Sequence, residues 1–280
     1  MEIPQAIRTT NHKKEAMKEN LGPKLAEGRT AEVFAWGEDW VVKLYREGWT
    51  RETAAYEYNQ AIASQHTGFS VPQVQQMVEI DGRFGIIYER IEGTSMWDTL
   101  HQHPFQLSNQ ARLMADLHLD MHTRRADGMQ TSQETLSQKI NQAKGLSQPL
   151  KDQILAHSAE LPFERRLLHG DFHPENILLT ETGPMIIDWV DGNIGHPLAD
   201  VARTIVLGTV GIPPSEKANR LFFRLFLSTY LRRYFKSSPY ARKELNRWLL
   251  PVAAGRLSEE IPHEKEALIR WVTKLAAKQR

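Results

Sequence analysis

The sequence predicts an α+β chain of two lobes, a small β-rich N-terminal lobe followed by a larger α-helical C-terminal lobe. Three observations predict it. Short apolar runs separated by Gly- and Asp-containing turns occupy residues 32–90 around one helical segment. From about Leu107 apolar residues recur at helical spacing. A second pair of short apolar runs, within 176–188, interrupts that helical half. The turn Glu92-Gly93-Thr94-Ser95 divides the two patterns, so 1–92 is expected as one lobe and 93–280 as the other.

Taken in order, residues 1–20 read as helical or frayed. Segments 32–36 and 40–45 are expected strands, and Gly37-Glu38-Asp39 between them makes the pair a hairpin. Residues 51–66 are expected as a helix burying Ala55, Tyr58 and Ile62, with Ala54 and Ala61 beside them and Gly68 as its stop. Segments 74–79 and 84–90 are strands around an Asp81-Gly82 turn. The helix expected over 108–125 carries Ala111, Met114, Ala115, Leu117, His118, Met121 and His122 at core spacing. Residues 131–159 are polar and helical. Everything after Pro197 is helical, with breaks at 211–214 and near Pro251.

Composition narrows the function classes. The chain has 280 residues, 41% hydrophobic and 25% charged, as in soluble globular proteins. A formal net charge of +1 argues against a nucleic-acid or membrane partner. The absence of cysteine excludes disulfides, thiolate metal sites and thiol catalysis, and fits a reducing compartment. The N-terminus is polar, with no signal-like apolar region, and no apolar stretch approaches 18 residues. A cytoplasmic protein with no obligate protein partner is the expectation.

The chemistry-bearing segment is HGDFHPENILLTETGPMIIDWVDGNIGHPLAD (169–200). It holds His169-Gly170-Asp171, Asn176 five positions after that Asp, and Asp188 at the end of an apolar run. In these residues the chain resembles the catalytic and metal-binding loops of the protein-kinase superfamily, with their H-R-D-L-x-x-x-N and D-F-G signatures. Gly170 in place of Arg, and Asp188-Trp189 in place of Asp-Phe-Gly, are similar instead to the aminoglycoside phosphotransferase and choline kinase-like family.

The resemblance implies a protein-kinase-like fold. It also implies a small-molecule kinase moving the γ-phosphoryl of ATP onto a hydroxyl of an aminoglycoside, sugar, amino alcohol or related metabolite, with Mg²⁺ and with GTP left open as donor. Phosphoryl transfer needs positioning and charge neutralisation more than covalent chemistry, which suits a sparse set of acids and amides. Asp171 would orient the acceptor hydroxyl and take its proton. Asn176 and Asp188 would hold the metal, since Mg²⁺ takes hard oxygen ligands and shares them with phosphates. Lys43, ending the run Val41-Val42, matches the strand lysine that contacts nucleotide phosphates, and its counter-charge would be Glu57, with Glu52 the alternative. Backbone groups near Glu89 and Ile91 would hydrogen-bond the purine. His169 would brace the metal-binding segment. Asp200 would accept backbone N–H bonds from the catalytic loop or serve as a helix N-terminal acid, and Asp191 would face substrate or occupy a turn with Gly192.

Several features pull elsewhere. The loop at Gly28-Arg29-Thr30-Ala31 has no G-x-G-x-x-G to approach phosphates, so a catalytically silent nucleotide-binding kinase fold stays as an alternative. A protein kinase is a second alternative, disfavoured because there is no room for an activation segment between Asp188 and His196-Pro197. His118 and His122 have metal-ligand spacing, but without H-E-x-x-H they read as core histidines. From Gly211 onward the chain carries fifteen Lys and Arg against six Glu, which argues against a polycationic acceptor.

Overall fold

The computed structural model describes residues 20–212 and 215–278. Residues 1–19, expected to be helical or frayed, and 213–214, within the expected break at 211–214, lie outside the described residues.

A five-stranded antiparallel sheet forms the N-terminal lobe, in spatial order β1-β2-β3-β5-β4. Its strands are β1 Leu21–Glu27, β2 Ala31–Trp36, β3 Trp40–Tyr45, β4 Val74–Ile80 and β5 Arg83–Glu89. The expected hairpin β2–β3 forms, with Trp36 opposite Trp40 and Val33 opposite Lys43. The β4–β5 turn places Asp81 at φ 50 and Gly82 at φ 77, the doubly positive backbone that suits the right-handed twist of a hairpin. Strand β1 was not anticipated. It contains Gly22 and Pro23 and pairs with β2 through two register shifts, which only an edge strand tolerates.

Helix α1 (Arg51–His66) starts on a Thr50 cap, whose side chain accepts from Thr53 N–H at 3.4 Å. Its fully buried residues are Ala54, Glu57, Gln60, Ala61 and Ser64. Ala54 and Ala61 are buried as expected, whereas Ala55, Tyr58 and Ile62 are only half-buried. The buried face therefore carries Glu57, Gln60 and Ser64 beside the two alanines. The expected turn at 92–95 is half a strand, for Thr94–Ser95 forms β6 and pairs with β8.

The C-terminal region contains the helices α2 Met96–Gln102, α3 Leu107–Met121, α4 Ser132–Gln142, α5 Gln148–Ala159, α6 Pro197–Val210, α7 Lys217–Ser237, α8 Leu245–Arg256 and α9 Lys265–Ala276. The single helical stretch expected over 131–159 is two helices, separated by a turn in which Gly145 has φ +89. Short strands β7 Arg166–Leu168, β8 Ile177–Thr180, β9 Gly183–Ile186 and β10 Asn193–Gly195 carry the loops of the site. Pro251 does not break the chain; it lies inside α8. Proline leaves the Arg247 carbonyl one turn earlier without its helical donor, and His157 Nε2 donates to that carbonyl at 2.8 Å instead.

One apolar cluster fills the C-terminal region and includes Met114, Phe172, Phe226, Tyr230 and Trp248. Phe69, at the end of α1, enters this cluster and meets Trp189 edge-on, with ring centroids 6.2 Å apart. Ser70 adds two bonds, its carbonyl accepting from Ile186 N–H at 2.9 Å and its hydroxyl donating to the Pro184 carbonyl at 2.9 Å. These contacts anchor the end of α1 to the β8–β9 hairpin that carries Asp188.

Candidate active site

Lys43 lies on β3 two residues before Tyr45, so both side chains emerge on one face of the sheet. Glu57, on the inward face of α1, meets both. Lys43 Nζ donates to Glu57 Oε1 at 2.9 Å, the Tyr45 hydroxyl donates to Glu57 Oε2, and the Tyr88 hydroxyl donates to Glu57 Oε1 at 2.9 Å. Glu52 is exposed in the first turn of the helix and does not take part. Lys43 Nζ also donates to Asp188 Oδ1 at 2.7 Å. Burial works against the Lys43 ammonium, but the Glu57 and Asp188 carboxylates outweigh it and hold its pKa above the ordinary lysine value. The same burial, reinforced by Glu57, pushes the Tyr45 phenol up, so it stays a donor.

The loop between β7 and β8 carries His169, Gly170, Asp171 and Asn176. Asp200, at the start of α6, braces it from behind: His169 N–H donates to Oδ2 at 2.7 Å and Gly170 N–H to Oδ1 at 2.9 Å. Gly170 has φ +76, and a Cβ there would sit 2.2 Å from the Asp191 carbonyl oxygen, which explains glycine in this position. His169 Nε2 donates to the Ile187 carbonyl at 3.0 Å, and its ring lies 4.6 Å from that of Trp189. It therefore ties the Asp171 loop to the Asp188 segment. Asn176 Nδ2 donates to the Asp171 carbonyl at 2.9 Å, which leaves Oδ1 as the free end of the amide. Asp188 adopts left-handed backbone, φ 64 and ψ 64, and its carboxylate is 41% exposed. Asp171, Asn176, Asp188, Lys43 and Glu57 thus form one connected constellation.

The profile of a phosphotransferase enzyme family, the APH family, matches residues 23–245. The chain belongs to that family. No curated protein sequence matches this phosphotransferase. Among solved structures, a thermostable variant of aminoglycoside phosphotransferase APH(4)-Ia in complex with ADP and hygromycin B superposes with TM-score 0.63 at 15% identity, over 96% of both chains. The amicoumacin kinase hAmiN, in complex with AMP-PNP, Ca²⁺ and Ami, gives 0.63 at 16% over 96% of this chain and 93% of its own. A choline/ethanolamine kinase family protein from Mesorhizobium loti gives 0.59 at 16% over 95% and 94%. The fold is protein-kinase-like.

The phosphotransferase has charged residues around Asp171 that motif spacing does not reveal. Arg203, one turn beyond Asp200 on α6 and nearly fully buried, donates through Nε to the Gly170 carbonyl at 2.9 Å. Its terminal nitrogen donates to Asp171 Oδ1 at 3.3 Å and to Glu259 Oε1 at 2.6 Å. His173 Nε2 lies 3.3 Å from Asp171 Oδ2. Burial opposes ionisation of Asp171, but the His173 hydrogen bond and the Arg203 charge outweigh it and hold the carboxyl well below the usual carboxylate range. Lys139 on α4 donates to Asp191 Oδ1 at 2.7 Å, so Asp191 occupies its turn while ion-paired. Arg203 could have been sought at i+3 from Asp200. Lys139 and Glu259 carry no local signal at all.

The β1–β2 loop is a tight turn closed by Gly28 N–H donating to the Ala31 carbonyl at 2.8 Å, and Arg46 donates to the Gly28 carbonyl at 3.1 Å. At the end of β5, Glu89 lies opposite Trp40, and its N–H donates to the Gln73 carbonyl at 2.8 Å. Ile91 N–H has no hydrogen-bond partner among the described residues. His118 and His122 lie in the core, as expected. His118 Nε2 donates to Asp200 Oδ2 at 3.1 Å, and the two Nδ1 atoms lie 2.6 Å from the Tyr230 hydroxyl and 2.8 Å from the Tyr234 hydroxyl. Their ring nitrogens and Asp200 fall within 4.8 Å of one another, a spacing that a metal would accept. His118 already uses both nitrogens and Asp200 already accepts three N–H bonds, while His122 Nε2, 3.6 Å from Asp200 Oδ2, has no hydrogen-bond partner among the described residues.

Proposed function

We propose that this phosphotransferase transfers the γ-phosphoryl of ATP to a hydroxyl of a small acceptor. The observation that carries the proposal is Lys43 bridging Glu57 and Asp188 while Asn176, on the Asp171 loop, donates to the Asp171 carbonyl. An ammonium beside an exposed carboxylate is the arrangement needed to grip a phosphate chain. The lobes divide at residues 92–93, and the donor base lies against the segment joining them, where the Glu89 carbonyl and Ile91 N–H offer one acceptor and one donor.

Mg²⁺ fits the donor set: the exposed Asp188 carboxylate, in contact with Lys43, and the Oδ1 of Asn176 are hard oxygens. Held by Asp188 and Asn176, the ion would supply positive charge to neutralise the donor phosphates. The remaining work belongs to the chain. Asp171, kept ionised by His173 and Arg203, orients the acceptor O–H and receives its proton. The acceptor oxygen bonds to the γ-phosphorus as the bond from that phosphorus to the β,γ-bridging oxygen breaks and ADP leaves. Lys43 holds the donor phosphates, and Glu57 fixes Lys43.

The test is acceptor-dependent formation of ADP from Mg-ATP by the purified protein, with the phosphorylated acceptor identified by mass spectrometry. ADP formed only by hydrolysis, with no acceptor modified in a broad panel, would reject the proposal.

A further inference from the structure

Resting on that reading, we propose that the acceptor is a compact, electrically neutral polyhydroxy compound, a polyol or simple sugar, and that its hydroxyl-bearing end enters a cavity lined by Thr135 and Asn193. The cavity, of about 50 Å³, lies between α4, β10 and α8 and borders Gly170, the residue before Asp171. A water-sized group takes roughly 10–15 Å³, so about three to five such groups fit and the rest of the acceptor stays outside.

The ionic groups around the cavity are matched within the protein. Lys139 pairs with Asp191 at 2.7 Å, Arg203 with Glu259 at 2.6 Å, and Arg256 with Glu264 through two bonds of 2.7 Å. Glu259 is further held by Arg256 and lies 3.7 Å from Lys139. Three cations thus meet three carboxylates; Asp200, also in the wall, is held by His118 and the His169 and Gly170 N–H groups, and Asp171 is in looser contact at 3.3 Å with Arg203 and His173. A polyamine would need Asp191 or Glu259, and taking either would leave half-buried Lys139 or buried Arg203 without its partner.

What remains unsatisfied in the cavity wall is neutral. Asn193 is 6% exposed, and its Nδ2 donates to the Asp191 carbonyl at 2.9 Å. That leaves Asn193 Oδ1 buried with no hydrogen-bond partner among the described residues, and Thr135 Oγ1 is in the same position. An amide oxygen requires a donor, and a threonine hydroxyl can donate or accept. A hydroxyl meets both requirements. An ammonium would lose its hydration beside Asp191 and Glu259 carboxylates that Lys139 and Arg203 already hold.

The experiment compares size-matched pairs, neutral polyols and sugars against their amino-substituted counterparts, by ADP release and product mass under Mg-ATP. Neutral members are expected to exceed amines in kcat/KM by about 100-fold or more. Thr135→Val, close in shape, is expected to raise KM for the neutral acceptor by about tenfold with kcat nearly unchanged. Lys139→Met, which frees Asp191, is expected to shift the ratio toward amines by about tenfold. Equal or reversed preference in the unmodified protein, no neutral compound turned over, or an unchanged ratio in folded Lys139→Met overturns the acceptor assignment. Thermal stabilisation by Mg-ATP is measured in parallel: its presence leaves the phosphotransferase reading standing, and its absence removes that reading instead.

Discussion

Lys43 and Asp188, 145 positions apart in the chain, meet at 2.7 Å, and Glu57 holds the other side of the same ammonium at 2.9 Å. The contact joins a strand of the N-terminal sheet to the loop after β9. It sets the distance between the two halves of the site, so removing it acts on both geometry and stability.

Lys43→Met is therefore expected to lower kcat/KM by about 10²–10³. It also leaves Glu57 buried with only the Tyr45 and Tyr88 hydroxyls, at a cost of about 3 kcal/mol in unfolding free energy. Lys43→Met/Glu57→Gln should recover much of the stability and none of the activity. Urea unfolding of the two single variants and the double variant measures the coupling; additive losses would count against a Lys43–Glu57 pair.

Asp171→Asn and Asp188→Asn are expected to separate. The first should lower kcat by about 10²–10⁴ with Mg-ATP affinity intact, since it removes the proton acceptor. The second should weaken Mg-ATP binding, since it removes a hard ligand. Calorimetric titration alongside steady-state kinetics distinguishes them, and identical defects in both variants would contradict the division of roles.

Arg203→Met should move the acid limb of the kcat/KM–pH profile to higher pH. The Arg203 charge favours the ionised form of Asp171, so its loss raises that pKa and protonates the carboxylate earlier as pH falls. A profile that keeps its acid limb in place would mean that Arg203 serves only to hold Glu259 and the Gly170 carbonyl.

Stability should fall in acid because of His122. Burial pushes its pKa down to about 4 from an ordinary 6.5, with the neighbouring His118 adding to the effect. Between those values the unfolded chain binds the proton and the folded chain does not. The contribution is therefore full above pH 6.5 and lost as pH falls toward 4, by up to about 3 kcal/mol. Denaturation midpoints from pH 7.5 to 4.5 measure it, and His122→Gln should flatten the slope; a variant with the same slope as the parent would refute the assignment.

Much of the donor side was legible in the sequence because it is written at short range. The spacing of Asp171, Asn176 and Asp188 follows from one loop and one hairpin, and the strand ending in Lys43 is apolar over its preceding residues. Glu57 was harder. The face it occupies on α1 includes Gln60 and Ser64, so apolar periodicity pointed to Ala55, Tyr58 and Ile62. A helix face chosen by a counter-charge cannot be found by counting apolar residues.

By itself the sequence determined the family, the two-lobed α+β class, the order of the loops and the absence of thiol chemistry, because motif spacing and strand or helix period are properties of neighbouring residues. Only the tertiary structure decided that Glu57 rather than Glu52 meets Lys43, that Pro251 stays inside a helix, and that Arg203, Lys139 and Glu259 assemble around Asp171. The reason is electrostatic and non-local. A buried charge must find its opposite wherever packing brings one, and the partners of Asp171 and Arg203 stand 32 and 56 positions apart in the chain.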